Sequence, residues 1–272
     1  MNTAVRSVVL ALAFPLCLFV PALSSSSQPA TGASIHEEIT REALKGTISD
    51  ANLDFMIKAV ISQEAPGSDG LAEPRRHFGD GNFAAAVAYM DREKKQALNY
   101  AADADKDGEN RGQVLRHLGL MLHTAQDFYI HSNYVELQLE DPRRKQDPLG
   151  LELVEWARVP DGYVGKESGA ALTAGWADTG KPPESSGSAG SAGGSRDNPG
   201  PSKGKKAAGG MTYLDIAREL AVRETQRQWN LFEALVKGRF HERAGAIIAA
   251  LKQEAISADA SPDASPEIPE VD

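Results

Sequence analysis

Between about Asn110 and Glu140 apolar side chains cover nearly the whole circumference of a helical repeat: Leu115, Leu118, Leu120, Met121, Leu122, Ala125, Phe128, Tyr129 and Ile130 leave no broad polar stripe. A helix of this kind has no face to give to water, so other elements must wrap it. The flanking sequence supplies helices. Ser34-Ile35-His36-Glu37 has capping-box spacing and opens a helix to about Lys45. Ser49 or Asp50 caps a second, with Leu53, Met56, Ile57, Val60 and Ile61 on one face. A third is expected over about Phe83–Ala102, a fifth over about Tyr213–Lys237 and a sixth over about His241–Ile256. No segment reads as a strand, and no repeat is present. The expected fold is all-α, a multi-helix bundle around one buried central helix.

The remaining segments lie outside that core. Met1 to about Ser25 carries Arg6, an apolar run from Val8 to Leu23 and a small-residue exit, the pattern of a cleaved secretory signal. Export to the periplasm or the medium is therefore expected, with no transmembrane segment in the mature chain. Cys17 is the one cysteine, so a mature domain spanning 26–256 has no disulfide and needs its core, or a metal, to hold it. Residues 64–82 read as a loop rich in Gly, Pro and Asp. Residues 179–210, dominated by Gly, Ser, Pro, Ala and Lys, read as a flexible surface insertion whose Lys203, Lys205 and Lys206 are solubilising. The acidic tail at 257–272 reads as disordered. Loss of Arg6 with the leader takes the formal charge from −9 to −10, which disfavours general attraction to nucleic acid or to an anionic membrane.

The central helix also carries the chemistry. In His123-Thr124-Ala125-Gln126-Asp127-Phe128-Tyr129-Ile130-His131 the two histidines and the aspartate fall within about 80° of one another, each about 6 Å further along the axis. The outer pair is too far apart for one ion. The central carboxylate reads as a bridge between two, as in hydrolytic sites with ions about 3.5–4 Å apart. Burying His, Asp and His among apolar residues is costly unless they are paired or bound. A self-satisfied hydrogen-bond network without metal is the plainer alternative. Further donors are His36, His77 near Asp69 and Asp80, and the i, i+4 pair Asp215 and Glu219. His117, about 120° round the helix, reads as a supporting or surface residue, and His241 as solvated.

Ser34-Ile35-His36-Glu37-Glu38-Ile39-Thr40, Arg76-His77-Phe78-Gly79-Asp80 and above all Leu118-Gly119 through His123-Thr124-Ala125-Gln126-Asp127-Phe128-Tyr129 to His131-Ser132-Asn133-Tyr134-Val135-Glu136-Leu137 resemble the Het-C proteins. These belong to the superfamily of zinc-dependent phospholipases C and single-strand nucleases. The resemblance spans about residues 34–140, and the fifth helix weakly. It implies a helical fold with zinc at the base of a cleft. His77, His123 and Asp127 would bind one zinc. Asp69 would be a further ligand or the base that activates water, with Glu64 in reserve. His131 would help bind a second zinc, where the family places a His and a Glu and this chain offers Asp215 and Glu219. His36 matches the histidine of the third site, but no Trp stands near the expected mature N-terminus. Two zinc ions are expected.

The function this implies is zinc-dependent phosphodiester hydrolysis, phospholipase C-like, on a phospholipid or another phosphodiester. The acidic charge favours lipid over the alternative of a single-strand nuclease. A further alternative is a non-enzymatic Het-C-type interaction or toxicity module with a structural metal site.

Overall fold

The computed structural model describes residues 34–65, 73–78, 81–161, 172–174, 203–253 and 256, all within one unit, Ala33–Asp272. The expected signal segment, the acidic tail, Asp69, Asp80 and most of the 179–210 insertion lie outside the described residues. Seven α-helices are described: α1 (Ile35–Leu44), α2 (Asp50–Ser62), α3 (Phe83–Tyr100), α4 (Gly108–His131), α5 (Tyr134–Gln138), α6 (Tyr213–Phe240) and α7 (Ala244–Gln253). The fold is all-α, and none of these helices is long and apolar enough to cross a membrane.

Helix α4 is the axis of the bundle. From Val114 to Ile130 every residue is buried, because α2, α3 and α6 close around it while α1 bridges α2 and α6. Leu53, Met56, Ile57 and Val60 are buried on α2 and Ile61 is half-buried, as their helical spacing requires. The closest approach is at Gly119. A Cβ there would lie 2.8 Å from the Met56 carbonyl oxygen and 2.9 Å from Ala59 Cβ. Backbone on one side and a fixed methyl on the other leave no room to yield. Gly119→Ala is therefore expected to lower stability by about 1–3 kcal/mol through overpacking. Urea denaturation with an unchanged midpoint would contradict this contact.

Helix starts follow local chemistry. The hydroxyl of Ser34 accepts from the Glu37 N–H, Ser49 accepts from Asn52, and Asp107 accepts from Glu109 and Asn110, starting α4 slightly before the expected position. Its end differs more. The fourth helix was expected to reach Glu140, but it stops at His131, where Ser132 turns extended (φ −101°, ψ 166°), and a short α5 follows. Ser132 and Asn133 offer the backbone other partners. The Ser132 hydroxyl accepts from the Tyr134 N–H, while Asn133 exchanges hydrogen bonds with Thr173 through its own N–H and its side-chain oxygen.

The expectation of no strand also needs correction. Lys206–Ala208 (β1) and Met211–Thr212 (β2) pair antiparallel across Gly209 and Gly210, which have φ of 61° and 83°. Two adjacent glycines that accept positive φ make this tight turn possible. Lys203, read as solubilising, is instead buried, and its ammonium donates to Glu136 at 2.7 Å. The end of the insertion is thereby tied to α5.

Candidate metal centre

Asp127 projects from α4 one turn before its C-terminal end with 1% of its surface exposed, and four imidazoles surround its carboxylate. Oδ2 lies 2.7 Å from His77 Nδ1 and 3.3 Å from His123 Nε2. Oδ1 lies 3.1 Å from His36 Nε2 and 3.6 Å from His131 Nε2. Each carboxylate oxygen thus serves its own pair of histidines. His123 and His131, a turn before and a turn after Asp127 on the same helix, approach opposite oxygens. His36 comes from the first turn of α1 and His77 from the end of a 3-10 turn at Pro74–Arg76.

Glu64 completes the group. It follows the last turn of α2, its side chain is 12% exposed, and its Oε1 lies 3.5 Å from His36 Nε2. Ligand atoms of His36, Glu64, His123 and Asp127 all lie within 4.8 Å of one another. A tetrahedral zinc with bonds of about 2.0–2.1 Å holds its ligand atoms about 3.3 Å apart. Four of the separations around Asp127 and His36, 3.1–3.6 Å, match that spacing, while His77 Nδ1 and Asp127 Oδ2 at 2.7 Å stand at hydrogen-bond distance. Among the described residues, Asp127 Oδ1 and Glu64 Oε1 are buried yet accept no hydrogen bond of good geometry. Each such acceptor costs about 1–3 kcal/mol, and a cation between them would relieve both. Nitrogen and carboxylate donors in this number suit a divalent transition metal, a class that includes zinc. The residues fit the metal.

The electrostatics divide the histidines. Burial pushes the His123 and His131 imidazoles down to about 4, against the pull of Asp127, so both are neutral with lone pairs to offer. For His36 burial also acts downward, but the Asp127 and Glu64 carboxylates outweigh it and hold its proton well above the ordinary range. Burial pushes the Asp127 carboxyl upward, yet His123, His36 and His77 overcome this and keep it well below the usual carboxylate range. The metal-free centre therefore contains an imidazolium beside a carboxylate.

Backbone strain sets the position of His77. The next residue, Phe78, has φ of 51°, a left-handed conformation that costs a non-glycine residue about 1–2 kcal/mol. Its fully buried ring holds it there, packed against Phe83, Phe128 and Trp156 at 5.9, 5.4 and 6.0 Å. Trp156 is anchored in turn by its Nε1–H, which donates to the buried Glu224 carboxylate at 2.8 Å. Glu224 also accepts from Tyr129 and Gln228 and pairs with Arg227, so it ties Trp156 to α4 and α6.

Of the residues singled out in the sequence, His36, His77, His123, Asp127 and His131 meet at one carboxylate, and Glu64 joins them. Asp215 and Glu219 are not in the group formed by His36, Glu64, His123 and Asp127. Asp215 instead closes a capping box at the start of α6, its Oδ2 accepting from both the N–H and the hydroxyl of Thr212 at 2.8 Å. His117 is buried, not a surface residue, and its Nδ1 lies 2.7 Å from the Glu93 carboxylate, outside the cluster. Three residues at the site carried no assigned role: Gln126, whose Oε1 lies 2.9 Å from His36 Nδ1, and Thr40 and Thr225, which hold the Gln126 amide nitrogen at 2.9 and 3.1 Å. Gln126 sits inside the motif next to Asp127. Nothing in the sequence marks Thr225.

No family model, no curated protein and no solved structure matches the chain. The likeness to Het-C proteins therefore rests on the motif residues alone.

Proposed function

We propose that this chain is an exported, zinc-dependent phosphodiester hydrolase of the phospholipase C type. The observation that carries the reading is the Asp127 carboxylate, whose two oxygens each face a separate pair of imidazoles. One oxygen per pair is the arrangement needed to share a carboxylate between two cations. His77 and His123 would hold one zinc with Oδ2, and His36 and His131 a second with Oδ1, with Glu64 beside His36. When bound, zinc supplies a Lewis acid that neutralises phosphoryl charge and brings the pKa of water to about 7.

The chain's own residues do the positioning. Asp127, held in the buried C-terminal half of α4, sets the spacing of the two histidine pairs. Glu64 is the cluster's carboxylate at the rim, where it can orient an incoming water and hold its proton. The side chains of Glu64, His77 and His131 are 12%, 9% and 12% exposed, whereas those of His36 and His123 are sealed, so substrate must enter from the Glu64–His77–His131 side. The net charge of −9 opposes a polyanionic nucleic acid and leaves a phospholipid as the favoured substrate.

The near-complete burial of the centre also favours a second reading, in which metal only fastens α1, α2 and α4 together. A structural site is closed, whereas a catalytic one keeps a position for water. Elemental analysis of the purified protein and phosphocholine release from phosphatidylcholine vesicles separate the two. Bound zinc with chelator-sensitive lipid hydrolysis supports the enzyme. Bound zinc with no hydrolysis of vesicles or single-stranded DNA, together with unfolding by chelator, supports the fastening role. A protein that takes up no zinc at all defeats both.

A further inference from the structure

We propose that Gln126, oriented by Thr225 of α6 and Thr40 of α1, is a positioning residue that holds the His36 ring with Nδ1 protonated and Nε2 facing Asp127 and Glu64. The Thr225 hydroxyl donates its one proton to the Ala221 carbonyl at 2.8 Å. With that proton committed, Thr225 Oγ1 can only accept, so the Gln126 atom 3.1 Å away must be the amide nitrogen. The second amide hydrogen goes to Thr40 Oγ1 at 2.9 Å. The amide oxygen is then the atom directed at His36 Nδ1, at 2.9 Å. An oxygen with no hydrogen of its own requires the ring nitrogen to donate. Nδ1 of His36 must carry a proton whether the ring is charged or neutral.

Once neutral, the ring has its lone pair on Nε2, which lies 3.1 Å from Asp127 Oδ1 and 3.5 Å from Glu64 Oε1. Gln126 is fully buried, as are Thr40 and Thr225, so water does not compete for these bonds. Helix α6 thus acts on the centre through the Thr225 hydroxyl, by way of Gln126. The metal-binding consequence rests on the function proposed above; the choice of ring nitrogen does not. Partners that fix the tautomer of a ligand histidine typically change metal affinity by about 10–100-fold.

The test uses Thr225→Val, which keeps the shape of the side chain and removes the acceptor, with Thr225→Ser as the conservative control and Gln126→Leu as the direct variant. Zinc affinity is measured by competition with a chromophoric chelator, and the His36 tautomer by two-bond 15N–1H correlation on the zinc-free wild-type protein titrated to the neutral imidazole. Thr225→Val and Gln126→Leu are expected to bind zinc about 10–100-fold more weakly. Thr225→Ser should stay close to wild type, and neutral His36 should show the Nδ1–H pattern. A neutral His36 protonated on Nε2 overturns the proposal, as does wild-type zinc affinity in folded Thr225→Val and Gln126→Leu. If the wild type binds no zinc but His36 keeps Nδ1–H, the metal reading fails and the positioning of the ring stands.

Discussion

Asp127→Asn is expected to lose zinc and phosphodiester hydrolysis together. Asparagine keeps the shape of the side chain but removes the charge and replaces one oxygen with an NH2 group, which cannot bind a cation. One histidine pair would then face a donor in place of an acceptor, and the remaining oxygen would be neutral. Removing one partner from a buried charged pair costs about 3–5 kcal/mol, so zinc affinity should fall by at least about 10²–10³-fold. Chelator competition and metal content read this directly, and far-UV circular dichroism checks that the helices persist. A folded variant that retains the wild-type metal content and turnover would remove Asp127 from the centre of the mechanism.

The zinc-free protein should lose stability steeply as it is acidified from pH 6.5 towards pH 4. In that interval the unfolded chain protonates His123 and His131 while the folded protein keeps both neutral, because burial holds them near 4. The unfolded state therefore binds more protons, and acid favours it. Each histidine contributes up to about 1.4 kcal/mol per pH unit once the unfolded chain is protonated, so the pair should remove on the order of 3 kcal/mol between pH 6.5 and pH 5.

The other two shifted groups have different windows. His36, held above its unfolded value, contributes stability that is complete below about pH 6.5 and is lost only as pH rises through its folded value. Asp127, held below its unfolded value, contributes stability above about pH 4 that is lost as pH falls through its folded value. Neither cancels the loss due to the two neutral histidines. Urea unfolding at a series of pH values measures the slope, and a profile that stays flat from pH 6.5 to pH 5 would show that these two rings are not buried as neutral bases. Zinc competes with the same protons, so its apparent affinity should decline over the same range.

The helical plan was legible because its signal is local. Apolar spacing in α2 and the unbroken apolar circumference of α4 record which faces are buried, whatever buries them. Ser34 and Ser49 announce their helices through hydrogen bonds that span three residues. The alignment of His123, Asp127 and His131 was equally readable, since helix geometry alone places them on one face. Asp215 shows the limit of that reasoning. Its i, i+4 relation to Glu219 suggested a ligand pair, while Thr212-Tyr213-Leu214-Asp215 is also the pattern of a capping box, and the nearer partner prevailed. The Ser132-Asn133 break and the Gly209-Gly210 turn were written in the sequence too, but long helical and polar surroundings obscured them.

Packing alone brings distant segments together, and there the sequence carries no ruler. His36 and Gln126 are 90 positions apart, Gln126 and Thr225 are 99 apart, yet each pair is joined by one hydrogen bond of 2.9 or 3.1 Å. Whether a carboxylate such as Glu64 or one such as Asp215 reaches the centre depends on where neighbouring helices come to rest. The chain by itself determined which helix would be buried and that it would carry imidazole–carboxylate–imidazole on one face. The tertiary structure decided that Asp127 divides its oxygens between two pairs of histidines, because two members of those pairs arrive from α1 and from the turn before α3.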